Sequence, residues 1–591
     1  MKPAERLVQA ITQRMDPVDD DRATSVKLFF CLDEIINLID EDDDQVYYAI
    51  RRVMRIIAHI PVWMFLLSTN SPLRHLLPPA RLNRSDRIAS GALERIAPFY
   101  AFPMDLEVTR VLSREFQNEA NKPLAHYATA HHLTMFGRPL WRAYRDYSCR
   151  DLRQFVTQKL LRSRSYDTTD PQHVAAVLAA RICLGRVINS RDAITFQEVA
   201  VSSHLRLVQE MDSQNGLLRT IVPPEPIISE AVAHLLTSTG SWPQSIECLA
   251  TKLLRPGIID KGRSGELVTR LLLIMAHDKC AEELMRLKGA HVPTFDFAKP
   301  LSLLDFLRNL FTTSIYDSIV TAPVGRFGTT VGEVFRGALL NFTHFVETEQ
   351  FLDPGDLQEL IHNLLFSGAA LQLSPTQPLW DILIPLYCGQ QDEQFDTTKV
   401  SALLIQVKNR KQKSNLWLTP KDYEPFFAAS LWTQHVLVLL LDTGVTPTKV
   451  TQRVSYTDQI IGFQVVGMGS EAYACVQATK VDRGDYMLEM DIAFKMLLET
   501  VDSADDDIQQ VIARYNLRYE THTWKERFGL PALEGKTCGG YIESSKTRGG
   551  VGGVRMEGGR EGADDLEKRG NKRRQVEIKS SPAKRGRQND E

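Results

Sequence analysis

The sequence predicts an α/β and α+β multidomain protein. Three observations carry that prediction. Residues 26–71 alternate strand, helix and strand. Residues from about 105 to 320 are mostly helical. After residue 350, strand-length apolar runs appear in the order α-β-β-β-α-β. A Gly-rich, charged C-terminal segment adds a disordered tail, because it lacks the apolar area needed to offset chain entropy.

In the first unit, Val26–Leu32 is an apolar run of strand length that leads into Asp33-Glu34. Val46–Ile60 has helical spacing, with Asp42–Asp44 placed to suit the positive end of the helix dipole and Pro61 ending it. Val62–Leu67 is a second strand, followed by Ser68-Thr69-Asn70-Ser71. In the middle, helices are expected over Glu107–Ala120, Val174–Val187, Ile227–Leu236 and Glu266–Ala276, with no fixed-period repeat. Beyond residue 350, Asp353-Pro354 reads as an N-cap with proline at the first helical position, for a helix reaching about Ser367. Strands are expected at Ala369–Leu373, Trp380–Tyr387, Val400–Val407, His435–Leu441 and Ile460–Val466, with a helix at Lys421–Ala429.

The chain has 591 residues, 43% hydrophobic and 24% charged, with a net formal charge of −3. That balance excludes a wholly basic nucleic-acid coat protein. Residues 568–591 nevertheless carry a net +6, which leaves −9 for the rest. The eight cysteines are scattered without CxxC spacing, so a structural zinc site is not expected, and they read as buried free thiols, Cys31 among them. The charged N-terminus is no secretory signal and no apolar stretch approaches the ~20 residues of a membrane span. An intracellular protein without a membrane partner is expected.

Two constellations carry chemistry. The first is Asp33 and Glu34 at one strand end with Thr69 or Asn70 at the next. In a P-loop NTPase an aspartate there holds Mg²⁺, the glutamate orients water and the polar residue senses the γ-phosphate. An acidic strand end on any α/β sheet is the competing reading. Only 25 residues precede the first strand and none fits GxxxxGK(S/T), while Gly535-Lys536-Thr537 lacks both the strand and the glycine spacing. The chain is therefore expected to bind ATP poorly or not at all. The pattern resembles the Walker B and sensor strands of STAND-type P-loop NTPases.

The second runs from Trp380 to Asn409. Asp381 opens one strand, and Gln406 and Lys408 close the next on a shared face, with Val407 turned to the opposite one. A carboxylate, an amide oxygen and an ammonium at one sheet edge form a set suited to Mg²⁺-dependent phosphodiester cleavage. A solvated amphipathic strand is the competing reading. Arg410, Lys411 and Lys413 follow and could hold phosphates of a nucleic acid.

This stretch resembles the PD-(D/E)XK restriction-endonuclease-like fold, whose strands bear Asp and (E/D/Q)xK. The resemblance covers about residues 350–470. It implies Asp381 and Gln406 as metal ligands, Lys408 as catalytic cation and Glu359 as an auxiliary acid. Gln406 replaces the usual acid, which removes a negative charge, and Trp380 stands where the motif has proline. The order of the two constellations, the segment Phe136-Gly137-Arg138-Pro139-Leu140-Trp141 and residues 394–409 together resemble fungal Crinkler-related proteins. That resemblance implies an intracellular effector with an NTPase switch and a nuclease output.

The expected organisation is a partial P-loop NTPase-like α/β region at 1–105, a helical region at 106–325, a nuclease-like domain at 326–500, a helical extension at 501–534 and a disordered basic tail at 535–591. In the tail, Lys568, Arg569, Lys572, Arg573 and Arg574 precede Lys584 and Arg585 in two clusters. This is the composition of a bipartite nuclear-localisation signal, which implies a nuclear import receptor as partner. His131-His132 reads as a surface or packed pair rather than a metal site. The competing functions are a non-catalytic scaffold or nucleic-acid binder derived from an NTPase–nuclease, and a STAND ATPase truncated at its N-terminus.

Overall fold

A computed structural model describes residues 28–32, 45–57, 62–67, 122–148, 151–185, 190–212, 217–259, 264–288, 295–325, 328–348, 357–374, 380–408, 433–443, 451–455, 459–467, 469–477 and 484–502, with a few isolated positions besides. The tail, the helix expected at Glu107–Ala120 and the one at Lys421–Ala429 lie outside the described residues.

The first unit has β1 (Leu28–Leu32), α1 (Gln45–Ile56) and β2 (Val62–Leu66). β1 and β2 are parallel, with Leu28 opposite Val62 and Leu32 opposite Leu66. This is the expected strand–helix–strand unit. Cys31 corrects one expectation: it is a free thiol but exposed, on a strand that among the described residues pairs with β2 alone.

The helical segment contains α2 (Pro139–Tyr147), α3 (Leu152–Leu161), α4 (Pro171–Ala179), α5 (Arg191–Ser203), the hairpin β3 (Leu207–Asp212) and β4 (Leu217–Ile221), then α6 (Pro226–Thr239), α7 (Trp242–Cys248), α8 (Ser264–Lys288), α9 (Leu303–Leu310) and α10 (Thr313–Val320). α4 begins three residues before Val174, with Asp170 capping the Gln172 amide and proline at its first turn, and ends eight residues before Val187. Just past its end, the Arg181 side chain, 1% exposed, donates to both carboxylate oxygens of Asp278 on α8 and to the Thr343 carbonyl. That buried pair sets the direction of the chain where helical periodicity alone would have continued. α8 in turn runs twelve residues beyond Ala276.

The main sheet follows: β5 (His344–Glu347), α11 (Leu357–Ser367), β6 (Ala369–Gln372), β7 (Ile382–Tyr387), β8 (Val400–Lys408), β9 (Val436–Asp442), β10 (Thr451–Ser455) and β11 (Ile460–Val466), with α12 (Gly484–Asp502) closing the described chain. The strand order is β10-β11-β9-β8-β7-β6-β5, and the two-residue strands Leu301–Ser302 and Leu339–Leu340 bring the sheet to nine. β6, β7 and β8 form an antiparallel meander, and β8 then pairs parallel with β9 and β9 with β11. The molecule is thus mixed α/β, and the five strands expected after residue 368 are all present.

Both faces of this sheet are covered, which explains why β9 is apolar up to its last residue. On one face Leu403, Ile405, Val407, Leu437, Leu439, Leu441, Phe463 and Val465 share a single apolar cluster with residues of α3, α4, α6 and α8. On the other, Leu371, Leu383, Leu404, Val438 and Leu440 pack with Leu357, Leu360, Ile361 and Leu364 of α11. Among the described residues, no helix is long and apolar enough to cross a membrane.

The segment Phe136–Trp141 joins the two layers. Phe136 belongs to the cluster under α11, where it meets the His132 and Phe366 rings, and Trp141 belongs to the helical cluster. Between them the chain wraps around the Glu225 carboxylate, whose side chain is fully buried. Glu225 accepts from the Arg138 amide at 2.9 Å, from the Trp141 indole at 2.6 Å and from the Arg138 guanidinium. Gly137 has φ +77°, and a Cβ there would lie 2.2 Å from Glu225 Cγ.

His131-His132 divides as a pair. His131 is exposed, whereas His132 is buried and donates from Nε2 to the Phe366 carbonyl at 2.7 Å. Burial pushes the His132 imidazole down to about 3, reinforced by His126 and His131 and opposed by the bond to Phe366. Burial and the Arg181 charge lower His344 to about 3 as well.

Two predictions follow from these contacts. Glu225→Ala leaves the Arg138 guanidinium and the Trp141 N–H without their shared acceptor, so urea unfolding should show a loss of about 3–5 kcal/mol. Gly137→Ala should destabilise in the same direction; wild-type midpoints in both variants would refute the clamp. The histidines predict the pH dependence. Unfolded, they take up protons near pH 6.5; folded, they stay neutral down to about pH 3. The unfolded state binds more protons across that window, so their contribution is complete above pH 6.5 and is lost as the pH falls. Each should remove about 2 kcal/mol between pH 6.5 and 5, read as a falling urea midpoint that His132→Asn and His344→Asn flatten.

Candidate functional site

The β7–β8 register decides what meets at the sheet end. Ile382 pairs with Ile405 and Tyr387 with Val400, which sets Asp381, just before β7, beside Gln406. The far end of the pair is fastened by the connecting turn: the Tyr387 hydroxyl donates to Glu393 at 3.1 Å and accepts from the Asp396 amide at 3.2 Å, and Lys399 pairs with Glu393 at 2.8 Å. A slip of one residue would turn Gln406 and Lys408 to the opposite face.

Asp381 is held from three sides. Its amide donates to the Ile405 carbonyl at 2.9 Å and its carbonyl accepts from the Leu373 amide at 2.8 Å. Its carboxylate Oδ2 accepts from the Val407 amide at 2.7 Å. The last bond continues the β7–β8 ladder with a side chain and places the carboxylate within one residue of Lys408 along β8. A further clamp comes from Gln372, whose Nε2 donates to the Asp381 carbonyl at 3.0 Å and to Glu266 of α8 at 2.6 Å, while its Oε1 accepts from Arg270 at 2.6 Å.

Gln406 is 7% exposed, and its Oε1 is buried with no hydrogen-bond partner among the described residues. An unsatisfied buried acceptor costs about 1–3 kcal/mol, so this oxygen is a candidate for an ion or an ordered water. Lys408 ends β8 half-buried, and its carbonyl accepts from the Thr443 amide at 2.7 Å. Val407 packs in the helical cluster on the opposite face, as the alternation requires.

No protein-family model, no curated protein and no solved structure matches this chain.

The structure therefore brings Asp381, Gln406 and Lys408 to one rim of the sheet. Glu359 is exposed in the first turn of α11, the helix over this face, and is not tied to the other three. Arg410, Lys411 and Lys413 lie outside the described residues, as do Asp33, Glu34, Thr69 and Asn70 and the tail cations Lys568, Arg569, Lys572, Arg573, Arg574, Lys584 and Arg585.

The sequence reading missed Asp442. It ends β9, is 2% exposed, and stands in parallel register with Lys408. Register partners in a parallel pair share a face, so Asp442 lies on the Gln406–Lys408 side. The signal was available, since an apolar strand ending in an acid is the pattern that singled out Asp33. Glu266, Arg270 and Gln372 were also missed, and no local pattern marks them, because they meet only when α8 packs on the sheet.

The chemistry of the donor set fits a hard divalent cation: a carboxylate and an amide on adjacent strands, the amide oxygen being without a partner among the described residues. Among the described residues no group of three or more His, Cys, Asp or Glu is gathered as a metal cage, so a cation here would keep several waters, as Mg²⁺ does.

Asp381 variants separate its structural from its electrostatic role. Asp381→Asn keeps an acceptor for the Val407 amide and should keep that amide slow in hydrogen exchange. Asp381→Leu should expose it and cost about 1–3 kcal/mol. Equal exchange rates at Val407 in both variants would show that the bond does not anchor the strand end.

Proposed function

We propose that the chain is an intracellular, Crinkler-like protein whose sheet domain is a PD-(D/E)XK-type, Mg²⁺-dependent phosphodiesterase acting on nucleic acid. The observation that carries the reading is the buried Gln406 Oε1, without a partner among the described residues, between the Asp381 carboxylate and Lys408 on one face. The strand order β6-β7-β8-β9, antiparallel twice and then parallel, supports it, because α11 precedes the strand that Asp381 opens and the next strand carries Gln406 and Lys408.

In this reading Asp381 and Gln406 would hold the Mg²⁺, which when bound neutralises charge on the scissile phosphate. Asp381 arrives pre-oriented, since its backbone and one carboxylate oxygen are already fixed by β8 and Gln372. Lys408 supplies a cation two residues from Gln406 on the same face, suited to orienting the attacking water and stabilising the charge that develops on the phosphate. Arg410, Lys411 and Lys413, directly following in sequence, would hold neighbouring phosphates. The neutral Gln406 weakens the cation site relative to one with two acids.

That same substitution favours a second reading, a non-catalytic nucleic-acid binder: Asp381 already serves a structural role at the strand end, and the carboxylate expected at 406 is absent. Incubating the full chain with supercoiled plasmid and Mg²⁺ or Mn²⁺ separates the two. Metal-dependent nicking that falls by about 10²-fold or more in Lys408→Ala, with an unchanged urea midpoint, is expected for the enzyme. No cleavage, together with salt-sensitive DNA retention in a mobility-shift assay, would reject it in favour of the binder.

A further inference from the structure

The site as read from the sequence is one acid short, and the fold places an acid on the neighbouring strand. Asp442 closes β9, the strand paired in parallel to β8. It stands beside Lys408, and its neighbour two residues back, Leu440, stands beside Gln406. Asp381, Gln406 and Asp442 therefore lie on three successive strands of one face, at the ends from which parallel strands of α/β sheets present ligands. The position is fixed by backbone on both sides: the Thr443 amide donates to the Lys408 carbonyl at 2.7 Å and the Gly467 amide to the Asp442 carbonyl at 3.0 Å.

Charge and burial give this placement its meaning. Asp442 is a carboxylate 2% exposed at the end of an apolar strand, and a negative charge in such surroundings attracts a cation more strongly than it would in water. The adjacent Gln406 presents a buried oxygen with no partner among the described residues, in a side chain more than nine-tenths buried on the same face. The two observations are independent, one the placement of a charge and the other an orphaned acceptor, and a divalent ion bound to the Gln406 oxygen would gain from the charge on the neighbouring strand. Mg²⁺ and Mn²⁺ bind one or two carboxylates and retain several waters, so an acid displaced by one strand can contribute directly or through a retained water.

We propose that Asp442 supplies the second acidic ligand of a divalent-cation site formed with Asp381 and the amide oxygen of Gln406, in place of the acid that residue 406 lacks. The inference rests on the metal-site reading of this sheet end. It assigns a ligand on β9 that the strand motif itself does not contain.

The test is Mn²⁺ binding to the full-length chain, with free Mn²⁺ read by electron paramagnetic resonance. Wild type should bind Mn²⁺, and both Asp381→Asn and Asp442→Asn should weaken it by about tenfold or more. Gln406→Glu should tighten it, and the Gln406→Glu/Asp442→Asn double variant should return toward wild type, because the number of acids is restored. Hydrogen exchange on the wild type needs no folded variant: Mg²⁺ should protect the peptide covering 436–443 as well as that covering 380–408. Binding that is lost in Asp381→Asn but unchanged in Asp442→Asn, or Mg²⁺ protection confined to 380–408, overturns the role of Asp442 and leaves the site of Asp381 and Gln406 standing. Absence of any Mn²⁺ binding to wild type at millimolar concentration overturns the site itself.

Discussion

The bond from the Val407 amide to the Asp381 carboxylate is the contact on which the candidate site depends. It ends the β7–β8 ladder with a side chain, and so locks the register at the point where that register matters chemically. With Ile382 against Ile405, Gln406 and Lys408 fall on the face under α11 and Val407 on the face under the helical layer. The same carboxylate that pins the strand is thereby held beside an amide oxygen and an ammonium. Structural and chemical roles coincide in one residue, and that coincidence is why an acidic strand end is a weak signal in isolation and a stronger one here.

The sheet can carry this arrangement because both its faces are buried. The meander β6–β8 gives short-range pairing, and the parallel β8–β9–β11 segment gathers three strand ends at one rim. Buried polar contacts tie this sheet to the helical segment and brace that segment itself: Arg181 to Asp278 and Thr343, Gln372 to Glu266 and Arg270, and, within the helical segment, the Phe136–Trp141 stretch to Glu225. Each is costly to break once formed, because a group left behind would be desolvated without a partner. The helical segment therefore acts as a support that reaches the site through Gln372, whose carboxamide touches the backbone of Asp381.

The segment Phe136–Trp141 illustrates how a motif can be legible while its purpose is not. Its residues stand out in the sequence, yet what they surround is Glu225, nearly ninety positions away. The glycine is required because its φ is positive and because the carboxylate occupies the space of a side chain. The hairpin β3–β4 is a contrasting case. Asn215-Gly216 between two short apolar runs is a hairpin signal, masked by the helical periodicity on either side of it.

By itself the sequence determined the mixed α/β class, the strand–helix–strand unit at the N-terminus, the five strands from β6 onward that it marked, and the sharing of one face by Gln406 and Lys408. These are local properties, fixed by apolar run length and by the two-residue alternation of a strand. Only the tertiary structure decided that α4 stops before Arg181, that Cys31 is exposed, that β5 and β10 extend the sheet, and that Asp442 stands beside Lys408. Each of those depends on a partner distant in sequence, through strand pairing or through the burial of a charge, and neither leaves a periodic trace along the chain.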